Sequence, residues 1–245
     1  MRAPLWPKNP ALFLDLDGTL LEFADDPASV EVGRSLRSLL DRLQRVTHGA
    51  LAFVSGRSLA DLDRLLGPGQ FPLGAVHGLE RRDAGGRRST AEFDEREVAR
   101  IREALQEIVE RHPGTMLEDK GLTLALHYRR CPELEESLVE QVEARLSDIA
   151  SRLKLMRGNM VLEVKPGDGN KGTAIAAFME EEPFSGRTPV FIGDDVTDED
   201  GFRVVNELGG VSVKVHSGQT CARHRLPDTQ AVLSWLGELA SGESQ

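Results

Sequence analysis

A chain of 245 residues, 40% hydrophobic and 29% charged, can bury a substantial core, and that balance excludes a mainly disordered protein. A formal net charge of −10 opposes phosphate backbones and excludes a general nucleic-acid binder, while a locally basic pocket still admits a small anion. Cys131 and Cys221 lie far apart without metal-ligand spacing and read as free thiols of a reducing compartment, Met1 to Pro10 carries no apolar signal core, and no apolar run nears the ~20 residues that span a bilayer, so a cytoplasmic protein is expected.

In chain order, Ala11 to Leu14 is a short apolar run ending abruptly at Asp15, the pattern of a buried parallel strand that delivers a carboxylate to its C-terminal edge. Leu36, Leu39, Leu40, Leu43 and Val46 recur at helical spacing. A second apolar run, Leu51 to Val54, ends at Ser55-Gly56-Arg57. Ser58 and Asp61 then form a capping pair for a helix that Gly67 stops. This is the strand–helix rhythm of a doubly wound sheet. After Ala75-Val76-His77-Gly78 the rhythm changes. Asp83 to Gly86 reads as a hairpin turn, Asp94 to His112 as a charged helix, Leu122 to Tyr128 as a strand, Pro132 to Leu153 as one long helix, and Met160 to Val164 as a strand. The first rhythm returns with Asn170 capping a helix, a strand from Pro189 to Ile192, a helix begun by Thr197 and Asp198, a strand from Val211 to Val215, and a last helix from Ala231 to Leu239. The expected fold is α/β: a parallel-sheet core split over 1–83 and 166–245, with an α+β module inserted at 84–165.

Three apolar strands thus end in polar residues: Asp15 and Asp17, Ser55, and Asp194 with Asp195. In an open α/β sheet such strand ends converge on one crevice. Asp15-Leu16-Asp17-Gly18-Thr19 has a physical logic, since Gly18 lets the chain turn tightly and bring the Asp17 carboxylate back near Asp15. A carboxylate can attack phosphorus and divide one slow displacement into two easier ones. Asp15 is the expected nucleophile, Asp17 the acid/base for the leaving oxygen, and Ser55 and Lys171 the donors to the phosphoryl oxygens. Asp194 would hold Mg²⁺, with Asp195 and Asp198 behind it, because oxygen-rich, histidine-poor ligation suits that ion better than zinc. Taken alone, Glu118, Asp119 and Lys120 read as a solvated turn; the role of Arg81 and Arg82 stays open, since an exposed hairpin explains them as well as a site does.

Asp15 to Thr19, Ser55, Lys171 and Gly193-Asp194-Asp195 are similar to the four ordered motifs of the haloacid-dehalogenase superfamily. Val76 to Arg82, Leu126-His127-Tyr128-Arg129 and Gly193 to Glu199 narrow the likeness to its trehalose-6-phosphate phosphatases, over about Phe13 to Trp235. The resemblance implies a Rossmann-like core, a cap between the second and third motifs, and Mg²⁺ held by Asp15, the backbone carbonyl of Asp17, and Asp194. It implies an aspartyl-phosphate intermediate, with trehalose and inorganic phosphate as products. It places Gly56, Arg57, His77 and Gly78 beside the substrate, and Glu118, Lys120 and Glu163 on its distal glucose. The implied partner is a small phosphosugar, with no nucleic acid, membrane or obligatory protein partner. The nearest alternative keeps the chemistry and changes the sugar, for instance to sucrose phosphate. A non-catalytic phosphosugar sensor and a phosphomutase are more distant alternatives.

Overall fold

The computed structural model describes residues 3–22, 30–90, 94–150, 153–158, 160–167 and 169–242. The chain divides into two compact units, Met1–Thr90 with Gly169–Gln245, and Ala91–Asp168. The first contains β1 (Pro10–Leu14), α1 (Arg34–Val46), β2 (Leu51–Val54), α2 (Leu59–Leu66), β3 (Leu73–Ala75), β4 (Glu80–Arg82) and β5 (Arg88–Thr90). The second contains α3 (Glu95–Arg111), β6 (Met116–Asp119), β7 (Leu124–His127), α4 (Glu135–Arg145), β8 (Leu153–Gly158) and β9 (Val161–Pro166). The chain then completes the first unit with α5 (Lys171–Met179), β10 (Thr188–Gly193), α6 (Glu199–Glu207), β11 (Val211–Val215), β12 (His224–Leu226) and α7 (Thr229–Ser241).

The first unit is built on a sheet of order β12-β11-β10-β1-β2-β3-β4-β5. From β12 to β3 all neighbours are parallel, and β4 and β5 close that side as an antiparallel hairpin. Ala11 to Leu14 have no exposed surface, which is why β1 is apolar without alternation: both faces of a central parallel strand are covered. Phe13, Phe178, Phe184, Phe191 and Phe202 pack in one buried cluster on one side of it. Parallel strands share a direction, so β1, β2 and β10 all present their C-terminal ends at one edge. Leu14 lies level with both Ile192 and Phe53, which makes the residues that follow them neighbours.

Local chemistry sets the helix ends. Ser58 Oγ accepts from the Asp61 N–H at 3.1 Å and starts α2, and Gly67, at a φ of 100°, ends it. Asn170 and Thr173 cap α5 reciprocally.

The second unit has an antiparallel sheet of order β6-β7-β9-β8. One face is apolar: Leu124, Leu126, Leu162 and Val164 are buried in a cluster with Val98, Ile101 and Leu105 of α3 and Leu138, Val139 and Val142 of α4. The other face carries Glu118, Glu163 and Met156 in register around Ala125. That alternation follows from the period of two along a strand.

Two expectations are corrected. Pro132 to Leu153 is not one helix: a 3₁₀ turn at Pro132–Leu134 leads into α4, which ends at Arg145, and Leu153 opens β8. Leu138, Val142, Leu146 and Ile149 are all buried, so helical spacing runs on through a tight turn after the helix has stopped. Glu118 and Asp119 lie in β6, and only the following residues form the hairpin turn, with Lys120 N–H donating to Thr123 O. The two units divide after Thr90 and after Asp168. β5 pairs with β4, which keeps the whole hairpin in the first unit, and β9 pairs with β8 through Pro166.

Candidate active site

Asp15 continues the β1 ladder by donating its N–H to Ile192 O, and the chain then turns sharply at Gly18, where φ is 75°. The turn is closed by Gly18 N–H to Leu21 O at 2.7 Å, with Leu20 N–H on Leu16 O. It leaves Asp15 almost fully buried and Asp17 half-buried on the same edge.

Ser55 is buried at the end of β2, its N–H on Gly74 O and its carbonyl accepting the His77 N–H. His77 and Gly78 both have positive φ, 55° and 95°. A Cβ on Gly56 would lie 2.5 Å from the His77 ring, and one on Gly78 would lie 2.3 Å from Asn170 O. Both glycines are therefore needed for close approach, and the second lets the N-terminus of α5 press against the His77 turn. That approach delivers Lys171.

Lys171 Nζ lies 2.7 Å from Asp15 Oδ1 and 2.6 Å from Asp198 Oδ1, with all three residues buried. Asp198 Oδ2 accepts the N–H groups of Asp194 and Asp195, each at 2.9 Å. A Cβ on Gly193 would stand 2.3 Å from Asp198 Cγ, so the end of β10 has room only for glycine. Thr19 Oγ1 lies 3.3 Å from Asp15 Oδ2 and 3.4 Å from Asp194 Oδ1, between the two carboxylates. Arg57 Nε and Nη2 each donate to Asp17 at 2.7 Å.

The structure thus brings Asp15, Asp17, Ser55, Arg57, His77, Lys171, Asp194 and Asp198 to one sheet edge. Asp195 is exposed and joins the site through its backbone N–H.

The electrostatics of this cluster are unbalanced. Three carboxylates surround one ammonium. Burial pushes the Asp15 pKa well above its ordinary value, Lys171 opposes that, and Asp198 and Asp194 add to it. Asp194 is raised to about 6, first by burial and then by Asp198. Burial alone would discharge Lys171, but Asp15 and Asp198 outweigh it and hold the ammonium charged. One carboxylate oxygen from each of Asp15, Asp194 and Asp198 lies within 4.8 Å of the others. Surplus negative charge on oxygen-only donors fits a hard divalent cation. Asp198 already gives one oxygen to Lys171 and the other to two N–H groups, which leaves Asp15 and Asp194 as the carboxylates open to such an ion.

In the second unit, Glu118, Lys120 and Glu163 meet on the polar face of the sheet. Lys120 Nζ is 3.6 Å from Glu163 Oε1, which also accepts from Thr123 Oγ1 at 2.7 Å. Glu118 is 2.8 Å from His127 Nε2, and that hydrogen bond holds its pKa below the usual value against the opposing effect of burial. Thr123 and His127 therefore orient two acids, a role the sequence reading did not assign; a threonine and a histidine within the apolar stretch Leu122 to Tyr128 were the available signals. Thr19 was likewise missed as the residue between two carboxylates. Of the two arginines whose role the sequence leaves open, Arg81 forks onto Glu181, and Arg82 is buried against Asp63.

Residues 13–230 match the family model for trehalose-phosphatase. The chain is 45% identical over 235 residues to trehalose-6-phosphate phosphatase of Escherichia coli K12, covering 96% of this chain and 88% of that one. It is 43% identical to a probable trehalose-phosphate phosphatase of Sinorhizobium fredii, covering 84% and 78%. Among solved structures, the C-terminal domain of Candida albicans trehalose-6-phosphate phosphatase matches with a TM-score of 0.83 at 27% identity, over 96% of this chain and 92% of that one. The Aspergillus fumigatus trehalose-6-phosphate phosphatase matches with a TM-score of 0.68 at 29% identity, over 96% and 93%.

Proposed function

This chain belongs to the trehalose-phosphatase family, a group of phosphoric monoester hydrolases in the haloacid-dehalogenase superfamily, and on that footing we propose that it hydrolyses trehalose 6-phosphate to trehalose and inorganic phosphate through an aspartyl-phosphate on Asp15. The observation that carries this reading is the buried Asp15–Lys171–Asp198 contact chain beside Asp194. It supports the reading because one carboxylate, one fixed cation and a second carboxylate stand together at one sheet edge.

In the first half-reaction an Asp15 oxygen attacks phosphorus, and the bond to the sugar oxygen breaks as Asp17 delivers a proton to it. Asp17, now ionised, accepts a proton from the water that attacks the acyl phosphate in the second half-reaction, regenerating Asp15. Lys171 and the Ser55 hydroxyl donate to the phosphoryl oxygens as charge develops on them. Gly56, Arg57, His77 and Gly78 form the neighbouring wall. Asp15, Asp194 and the backbone carbonyl of Asp17 would hold Mg²⁺, with Asp198 and Asp195 behind them. The ion supplies neutralisation of phosphoryl charge.

The first unit is the catalytic core and the second the substrate-specificity cap. Glu118, Lys120 and Glu163 recognise the distal glucose. A disaccharide offers only hydroxyls, so selectivity needs oriented polar groups that a wrong sugar would leave unpaired. The two free cysteines suit a reducing cytoplasm. Among the described residues no helix is long and apolar enough to cross a membrane.

The test is phosphate release from a panel of sugar phosphates, including sucrose phosphate, with and without Mg²⁺. Selective, metal-dependent release from trehalose 6-phosphate is expected. Equal turnover across the panel would overturn the substrate assignment, and no release at all would overturn the chemistry.

A further inference from the structure

The arginine beside Asp17 is tied down more firmly than a surface ion pair needs. Its N–H donates to Ser55 Oγ at 3.2 Å, and its carbonyl accepts the Val76 N–H at 2.9 Å, so the backbone is held from both sides. The Arg57 side chain is 11% exposed and that of Asp17 30%. Nε and Nη2 meet the two carboxylate oxygens separately, at 2.7 Å each, in a parallel fork. Single-contact pairs between flexible side chains fix little, whereas a fork fixes the plane of the carboxylate. It takes one lone-pair site on each oxygen and leaves the others for a proton.

We infer that Arg57 is a positioning residue for Asp17, setting the direction from which its proton reaches the leaving oxygen. This rests on the reading of Asp17 as the acid/base group. In the step concerned, an Asp15 oxygen forms a bond to phosphorus and the P–O bond to the leaving group breaks. The electron pair of that bond goes to the leaving oxygen, which takes the proton from Asp17; the products are a neutral alcohol, the acyl phosphate and an ionised Asp17. Lysine in place of Arg57 keeps a positive charge and loses the fork, because an ammonium is a point charge.

The experiment uses a graded series of aryl phosphates without any sugar, differing only in how readily the leaving oxygen departs unprotonated. The quantity compared is kcat/KM, which reports steps up to leaving-group release. In Asp17→Asn, poor leaving groups are expected to lose on the order of 10²-fold more than good ones, the lower end of what general acid catalysis contributes. In Arg57→Lys the same selective loss is expected, smaller than in Asp17→Asn and at most on the order of 10²-fold, the cost that a 1 Å misplacement can reach. A uniform loss across the series, or none, in Arg57→Lys while Asp17→Asn is selective would overturn the assignment of Arg57 alone. A uniform loss in Asp17→Asn would instead overturn the acid role of Asp17. Should Arg57→Lys not fold, Arg57→Gln removes the fork and the charge together, and a uniform loss or none in it overturns the assignment equally.

Discussion

Asp198 and Lys171, 27 positions apart, meet at 2.6 Å with the Asp198 side chain wholly buried, and this contact joins the N-terminus of α5 to the loop after β10. The same carboxylate also holds two successive backbone N–H groups. Removing it leaves a buried ammonium with one partner fewer and two unpaired donors. Asp198→Ala is expected to lower stability by about 3–5 kcal/mol, the cost of breaking a buried pair from one side. Asp198→Asn, which keeps an acceptor, is expected to cost less. Urea unfolding of the two variants would show equal losses if the contacts carried no such weight.

The Asp194 pKa of about 6 gives a pH window for metal binding. Its ordinary value is 3.8, and burial followed by Asp198 raises it in the folded chain. The metal-free folded state therefore holds this proton more tightly, so the group's contribution to stability is full below 3.8 and is lost as pH rises through about 6. A divalent cation needs the ionised form. The rise in Tm on adding Mg²⁺ is thus expected to be full well above pH 6 and to shrink below it. A metal-induced shift that is the same at about pH 5 and about pH 8 would rule out Asp194 as the titrating ligand.

Asp15→Asn replaces the proposed nucleophile with a poor one at nearly constant volume. Activity is expected to fall by on the order of 10⁴-fold or more, as when a covalent nucleophile is removed elsewhere. The circular dichroism spectrum should be unchanged. Residual turnover near that of the unmodified chain would exclude a covalent role for Asp15.

On the polar face of the second unit, Glu163→Ala is expected to raise KM for trehalose 6-phosphate while leaving 4-nitrophenyl phosphate turnover nearly untouched. Thr123→Val, which removes the 2.7 Å hydrogen bond to Glu163 and keeps the shape, should show the same split more weakly. Equal losses on both substrates would move Glu163 out of sugar recognition.

Gly193→Ala would place a methyl 2.3 Å from Asp198 Cγ. Overpacking of this kind costs typically about 1–3 kcal/mol, and here it also displaces the carboxylate on which Lys171 and the Asp194 loop depend. Thermal denaturation and Mg²⁺ affinity should both suffer. A variant of normal stability and metal binding would show that the loop has slack.

Much of the core is legible in the sequence. The β2 and α2 boundaries, the Ser58 cap and the Gly67 stop were all read as they occur, because strand runs and helix caps are written in residues a few positions apart. The second unit was harder. β6 and β8 are edge strands with few buried side chains, so neither shows a continuous apolar run, and the helical period of α4 carries on into the turn beyond it.

Sequence alone determined which residues end the strands of the central sheet, and with them the carboxylates and the serine of the site, and which lysine opens a capped helix. Tertiary structure decided which of those groups touch: that Asp198 belongs to Lys171, that Arg57 forks onto Asp17, and that Thr19 stands between Asp15 and Asp194. No local pattern encodes such pairings. They follow from the parallel register of β1, β2 and β10, which sets distant loops side by side, and from glycines at 78 and 193 that let those loops close to van der Waals contact.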